Sequence, residues 1–174
     1  ACKKMEPFFP DLRDYDVYYE PFLGGGSVAL HVTKKYPKLK IVVNDLYEPL
    51  YNFWLQLQVN GDYVHSQLQQ LKSRYPDRGS ARGLFLDAKE KLYDLDVSDK
   101  DRAVCFYIIN KCSFSGLTES SSFSEQASDA NFSMRGIDKL PVYSKLISNW
   151  YITNVDYKVL LGDKEKTFVY LDPP

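Results

Sequence analysis

The chain has 174 residues, of which 44% are hydrophobic and 26% charged, and its formal net charge at pH 7 is -1. This length is typical of a single domain, and this composition excludes a disordered or low-complexity segment. Because the 22 basic side chains are balanced by 23 acidic ones, the chain has no global positive field. Any contact with nucleic acid must therefore come from local patches.

The cysteines and histidines predict neither a disulfide framework nor a metal site. The three cysteines are odd in number and match no zinc or redox spacing, and His31 and His65 lie far apart. The longest apolar run, residues 103–109, is far shorter than the ~18 residues of a membrane span, and no signal-peptide pattern begins the chain. We therefore expect a cytoplasmic protein without metal and without a membrane contact.

A strand, a helix and a strand are predicted over the first 45 residues. Branched and aromatic residues favour strands over 17–22 and 41–45, and a helical pattern over 27–36 ends before Pro37. A second helix is expected over 46–58. The residues of this helix that should face a core are Leu46, Leu50, Trp54 and Leu57.

Helical periodicity continues from 61 to 112, and breaks at 76–79 and near Ser98 divide it into three helices. The Ser-rich stretch 113–128 has no periodicity and predicts a mobile loop. One more helix over 140–150 and strands over 151–155 and 167–171 follow. We expect residues 1–60 and 139–174 to form an α/β domain that is interrupted by a helical insert, residues 61–138.

The stretch 18–32, YYEPFLGGGSVALHV, predicts a glycine turn between a strand and a helix. Gly24, Gly25 and Gly26 allow a sharp bend and the close approach of a ligand, and the helix N-terminus presents free N–H groups to an anion. Without further context, an ordinary tight turn is about as good an interpretation as a ligand site.

Two aspartates follow predicted strands. Asp45 comes about 20 residues after the glycines, where nucleotide-binding folds place a carboxylate for ribose hydroxyls. A helix N-cap is an alternative role for Asp45, and both roles can hold at once. Asp156, at the end of the third strand, fits either a ligand contact or a turn.

The chain closes on FVYLDPP, residues 168–174. An apolar strand that ends in an acid and two prolines projects a carboxylate and backbone carbonyls into the crevice where α/β folds bind substrate. The prolines have no N–H groups that would donate to these acceptors. Such a site can accept hydrogen bonds from a planar amino group. A strand simply ended by prolines explains DPP alone equally well.

The segments EPFLGGGSV, NDL and YLDPP, in this order, resemble the Dam-type family of DNA adenine N6-methyltransferases. FYIINKCSFSGL, residues 106–117, is similar to a segment of the DNA-recognition region of that family, and residues 152–161 resemble the segment before its catalytic strand. The resemblance covers nearly the whole chain. It implies a Rossmann-like methyltransferase sheet of strand order 3-2-1-4, with a helical DNA-recognition insert and further strands outside these residues.

The resemblance also implies a binding site for S-adenosylmethionine (SAM). Asp45 would bond the ribose of this cofactor, and Asp156 would lie near its adenine ring. The residues that would hold the methionine part of the cofactor are Glu20, Pro21, Phe22, Gly24, Gly25 and Gly26.

The catalytic residues that the resemblance implies are Asp172, Pro173 and Pro174. Asp172 and the Pro173 carbonyl would bind the N6 amino group of an adenine and hold it at near-attack distance from the methyl group. Because that amino group lies inside duplex DNA, the adenine must first be flipped out of the stack.

A local basic group in the insert could contact phosphates, although solvated helix ends are an equally good interpretation of these residues. Lys111 stands where the family has arginine, and a lysine cannot make the forked contact of an arginine. The candidate DNA-binding residues are Arg74, Arg78, Asn110, Lys111, Ser115 and Arg135.

The resemblance leaves two family features outside these residues: a GGK segment before Ala1 and an aromatic after Pro174. We therefore expect the 174 residues to be most of a domain, with an unpaired apolar edge on the fourth strand. By analogy alone, the target would resemble GATC, and a restriction endonuclease would be the partner in a bacterial or phage-infected cell.

Other functions remain open. A catalytically inactive relic that binds DNA or SAM is the main alternative, and the missing motif segments suggest it. Methylation of cytosine N4 is disfavoured, because the family motif for that reaction has serine in place of Asp172. The spacing of the motifs does not by itself exclude RNA or protein as the substrate.

Overall fold

The computed structural model describes residues 5–114, 121–160 and 165–173. The chain divides into two compact units. We call Ala1–Tyr51 with Lys145–Pro174 the sheet unit, and Asn52–Ser144 the helical unit.

Four parallel strands form the sheet: β1 (Val17–Glu20), β2 (Lys40–Asn44), β3 (Tyr151–Thr153) and β4 (Thr167–Val169). Their order is β3-β2-β1-β4, which confirms the predicted order, and Val17 on β1 is in register with Lys40 on β2 and Thr167 on β4. β1 ends two residues earlier than predicted, because Pro21 has no N–H to donate to a ladder. All four carboxyl ends therefore meet at one edge.

Helix α1 (Ser27–Lys35) connects β1 to β2 and buries Val28, Ala29 and Val32. The indole N–H of Trp150, just before β3, donates a 2.8 Å hydrogen bond to the Thr33 hydroxyl on this helix. Aromatic rings complete the packing around β4. The Phe168 ring lies 5.3 Å from the ring of Phe9 and 6.1 Å from that of Tyr18.

Further helices follow in chain order: α2 (Glu48–Val59), α3 (Gly61–Arg74), α4 (Arg78–Lys91), α5 (Asp99–Cys112), α6 (Glu125–Asn131), α7 (Met134–Ile137), α8 (Leu140–Leu146) and α9 (Tyr157–Leu160). Short 3-10 turns lie at Glu6–Phe8 and Leu12–Asp14. The boundaries between the two units fall inside α2 and α8.

The core of the helical unit is helix α5. Every residue of the apolar run 103–109 is buried, because neighbouring helices pack against the helix from several sides. Ser98 caps the helix: its hydroxyl accepts a 3.3 Å hydrogen bond from the Asp101 N–H. Asp77 caps α4 in the same way through the Ser80 N–H. Both caps lie at the breaks that the sequence predicted.

Two predictions about local structure are wrong. Leu46 does not face a core but is 71% exposed, because α2 begins only at Glu48 and leaves Leu46 in the preceding loop. The Ser-rich stretch is not loop throughout, since Ser113 forms an antiparallel bridge with Phe123 and Ser124 caps the helix that begins at Glu125. Residues 115–120 of that stretch lie outside the described residues.

No helix in the described ranges is long and apolar enough to cross a membrane. The same ranges contain no cluster of three or more His, Cys, Asp or Glu side chains that could hold a metal ion.

Candidate functional site

The candidate site lies at the carboxyl edge of the sheet, within the sheet unit. β1 ends at Glu20, β2 at Asn44, β3 at Thr153 and β4 at Val169. In parallel α/β sheets the crevice beyond these ends is where ligands bind. The chain segments that follow the four strands carry the predicted cofactor and catalytic residues of the sheet unit.

The glycine turn after β1 is held by backbone hydrogen bonds. The Leu23 N–H donates to the Asn44 carbonyl, and the Gly26 N–H donates to the Leu23 carbonyl, both at 2.9 Å. Gly24 has φ +49° and Gly26, at the N-cap of α1, has φ +65°. These two positions require glycine for their backbone conformation, because other residues rarely adopt positive φ.

Gly25 differs from its two neighbours. Its φ is outside the left-handed region, it is exposed, and a Cβ built on it would meet no atom within 4 Å. Neither conformation nor packing against the described residues therefore requires glycine here. A ligand that approaches the backbone closely would require it.

Asp45 stabilises this turn. Its Oδ2 accepts a 2.9 Å hydrogen bond from the Gly24 N–H, and its Oδ1 accepts a 3.0 Å bond from the Tyr47 N–H. Asp45 thus caps the turn that leads into α2. A carboxylate has about four acceptor positions, so the two lone pairs that these bonds leave are free to accept from hydroxyl groups.

Glu20 is a buried carboxyl group at the end of β1, and 3% of its surface is exposed. Its Oε2 accepts a 2.6 Å hydrogen bond from the Tyr18 hydroxyl. Burial raises the pKa of Glu20 to about 7, against the opposing effects of the Tyr18 hydroxyl and the Ala29 N–H of helix α1. The negative charge of Asp172 raises this pKa further.

Asp172 follows β4 on an exposed segment. The Tyr170 N–H donates a 2.9 Å hydrogen bond to the Tyr19 carbonyl, which extends the pairing with β1 by one residue beyond β4. Asp172 comes two residues later and is exposed, and its Oδ2 lies 3.5 Å from the Tyr170 hydroxyl. Pro173 is also exposed. Pro174 lies outside the described residues.

The end of β3 completes the edge. Asp156 accepts a 2.9 Å hydrogen bond at its Oδ1 from the Lys158 N–H, so it begins the short helix α9 in the turn role that the sequence allowed. The ring of Phe22, after β1, lies 5.1 Å from the ring of Tyr157. Phe22 therefore contacts the residue that directly follows Asp156.

Sequence reasoning missed three residues of this edge. Tyr18 binds the Glu20 carboxylate, and Asn44 and Asn154 bond the segments after the strands to one another. A signal was available for Asn44, because a carboxamide directly before Asp45 is unusual in an otherwise apolar strand.

The candidate DNA-binding residues belong to the helical unit. Arg74, in the last turn of α3, is exposed and lines a shallow groove with Met134. Arg135, the next residue along α7, is also exposed. Arg78 begins α4, and Ser115 lies outside the described residues.

Asn110 and Lys111 lie in the last turn of α5. Lys111 is half-buried, its ammonium group lies 5.6 Å from the centre of the Tyr107 ring, and burial lowers its pKa. Lys111 is therefore held against the helical unit, unlike Arg74 and Arg135, which are exposed.

The sequence is similar to a known protein family and to a curated protein. The family model described as D12 class N6 adenine-specific DNA methyltransferase matches residues 2–174. The chain is also 25% identical to a curated protein of Methanocaldococcus jannaschii, Type II methyltransferase M.MjaIII, in an alignment that covers 90% of this chain. The chain spans 57% of the length of that relative.

Proposed function

The chain belongs to the D12 class of N6 adenine-specific DNA methyltransferases, and from this membership we propose that the intact protein transfers a methyl group from SAM to N6 of adenine in duplex DNA. The observation that carries the proposal is the carboxyl edge of the sheet, where Glu20 and the glycine turn lie at the end of β1 and Asp172 follows the neighbouring strand β4. We propose that this reaction takes place in the cytoplasm of a bacterial or phage-infected cell.

The residues of the edge fit SAM, which when bound supplies a methyl group on a sulfonium sulfur. We assign the methionine part to the segment from Glu20 to Gly26, where the Glu20 carboxylate can accept hydrogen bonds from the ammonium group. The space beside Gly25 admits the ligand to the backbone. The remaining lone pairs of Asp45 can accept from the ribose hydroxyls, and Asp156 lies beyond β3 on the adenine side.

Asp172 and the Pro173 carbonyl are the proposed catalytic groups. Both are hydrogen-bond acceptors on an exposed segment. Pro173 has no N–H of its own that could donate to these acceptors in place of the adenine amino group. Together they can accept both N–H groups of the adenine amino group, which orients the nitrogen toward the methyl group. Positioning of this kind supplies most of the rate, because it holds the two reacting atoms at near-attack distance.

The helical insert, residues 61–138, is the proposed DNA-contacting region. Exposed arginines there would bind phosphates while the target adenine is flipped out of the duplex, at a cost of a few kcal/mol. The proposed contacts are Arg74, Arg78, Asn110, Lys111, Ser115 and Arg135. The restriction endonuclease partner and the GATC-like target remain predictions.

A protection assay on the intact protein tests the proposal. Plasmid DNA is incubated with protein and SAM and then digested with endonucleases that are blocked by adenine methylation, and we expect protection at one sequence. Asp172→Asn should lose protection, because the carboxamide has no negative charge and has one acceptor oxygen where the carboxylate has two. Asp96→Asn, an exposed aspartate of the helical unit, is the matched control and should protect normally. Equal protection by Asp172→Asn would refute the assignment.

A further inference from the structure

The Asn44 side chain is almost completely buried, with 1% of its surface exposed. Its amide nitrogen donates to the Pro21 carbonyl at 3.2 Å and to the Val155 carbonyl at 3.0 Å. Its amide oxygen accepts from the Thr153 hydroxyl at 2.8 Å and from the Val155 N–H at 3.1 Å. Both donors and both acceptor positions of the carboxamide are therefore in use.

These four hydrogen bonds join the segments that follow three different strands. Pro21 belongs to the turn after β1, Asn44 ends β2, and Val155 lies between β3 and Asp156. A second carboxamide reinforces the β2–β3 side, since Asn154 donates to the Asp45 carbonyl at 2.7 Å and to the Leu46 carbonyl at 3.0 Å. Asn44 is thus bonded to the segments on both of its sides.

The chemistry of position 44 favours a carboxamide. An aspartate of the same shape would offer acceptors to the Pro21 and Val155 carbonyls and would repel both. A leucine would leave the same two carbonyls and the Val155 N–H without their bonds in a buried place. A carboxamide satisfies both donor and acceptor partners.

We propose that Asn44 is a positioning residue for SAM, a role that rests on the function proposed above. The Pro21 segment carries the residues assigned to the methionine part of SAM, and the Val155 segment leads to the residue assigned to its adenine side. By bonding to both, Asn44 sets the distance between the two halves of the cofactor pocket without touching the cofactor.

The test compares variants of the intact protein by their Kd for SAM, their Kd for DNA and their Tm. Asn44→Asp and Thr153→Val each remove hydrogen bonds of the network, and we expect SAM to bind roughly 10- to 100-fold more weakly while DNA affinity is kept. Thr153→Ser keeps the hydroxyl and should restore SAM affinity to within about twofold.

Asn52→Asp is the matched control. Asn52 is a buried carboxamide of the helical unit whose amide nitrogen donates to the Asp99 carbonyl at 2.8 Å, so this variant should lower Tm without changing the Kd for SAM.

If Asn44→Asp does not fold, the comparison of Thr153→Val with Thr153→Ser tests the proposal. Wild-type affinity for SAM in Thr153→Val, or equal losses in Thr153→Ser and Thr153→Val, would overturn the proposal. Failure of the wild-type protein to bind SAM would instead refute the proposed function.

Discussion

Burial raises the pKa of the Glu20 carboxyl group to about 7, well above that of a glutamate in water. The Tyr18 hydroxyl and the Ala29 N–H both favour the ionised form but do not offset the loss of water. A cationic group placed beside Glu20 would favour the ionised carboxylate and lower its pKa again. Glu20 is therefore suited to the ammonium group of an amino acid.

The raised pKa of Glu20 makes stability depend on pH. Well below pH 4.5 the carboxyl group is protonated in both the folded and the unfolded chain. Between pH 4.5 and 7 the unfolded chain releases the proton first, so the stability of the folded state falls as pH rises, by about 3 kcal/mol in all.

Urea titrations of wild type and Glu20→Gln across that pH range measure this effect. The glutamine variant cannot ionise, so the part of the pH dependence that belongs to Glu20 should disappear, and the variant should be the more stable protein at pH 8. Identical pH profiles for the two proteins would show that Glu20 has an ordinary pKa.

The glycines after β1 have two different roles, because Gly24 is needed for its backbone conformation and Gly25 for the approach of a ligand. Gly24→Ala forces alanine into a φ of +49° and should cost about 1 kcal/mol of stability. Gly25→Ala should change stability by less than about 0.5 kcal/mol, because its new methyl group points into open space. The same methyl group would occupy the space that we assign to SAM, so SAM should bind roughly 10-fold more weakly. Urea denaturation and calorimetry measure the two effects, and normal SAM affinity in Gly25→Ala would contradict the assignment.

Among the elements, α5 should dominate the stability of the helical unit. Ile109 is fully buried on this helix, so Ile109→Ala should cost about 3 kcal/mol through lost contacts and a cavity. Leu95, which is 90% exposed, is the control, and Leu95→Ala should cost less than about 0.5 kcal/mol. Urea denaturation followed by the fluorescence of the buried Trp54 and Trp150 measures both, and similar costs would contradict the packing described for α5.

The elements that were predicted well are those with local signals. Helix α5 has a cap at Ser98 and a long apolar run, and β1 is a short run of branched and aromatic residues. Helix α6 was missed because its seven residues, EQASDAN, carry no apolar periodicity. Leu46 was misplaced because periodicity alone does not show where a helix begins.

At the scale of the whole molecule, the motifs predicted that the candidate residues lie at one edge of the sheet, but they did not predict the hydrogen bonds between the segments there. Asp45 and Asp172 could be placed from the sequence, because strand ends in a parallel sheet share one edge. The bonds of Asn44 could not, because its partner Val155 lies 111 residues away in the chain. Contacts at that distance depend on the fold, whereas caps and periodicity depend on neighbours.

The division into two units predicts two separable binding functions. Arg74→Ala in the helical unit should weaken DNA binding, reduce the slope of log K against log salt by about 1 and leave SAM binding unchanged. The control is Arg13→Ala, because Arg13 is an exposed arginine of the sheet unit that pairs with Asp11. A DNA titration at several salt concentrations measures the slopes. Equal slopes for Arg74→Ala and wild type would remove Arg74 from the DNA contact.

The most direct measurement follows the methyl group itself. The intact protein is incubated with duplex DNA and SAM that carries a deuterated methyl group, and the DNA is digested to nucleosides and analysed by mass spectrometry. We predict that the label appears on N6 of deoxyadenosine with wild type and with Asp96→Asn, and that it is lost with Asp172→Asn. Label on deoxycytidine, or no label on DNA although SAM binds, would contradict the account.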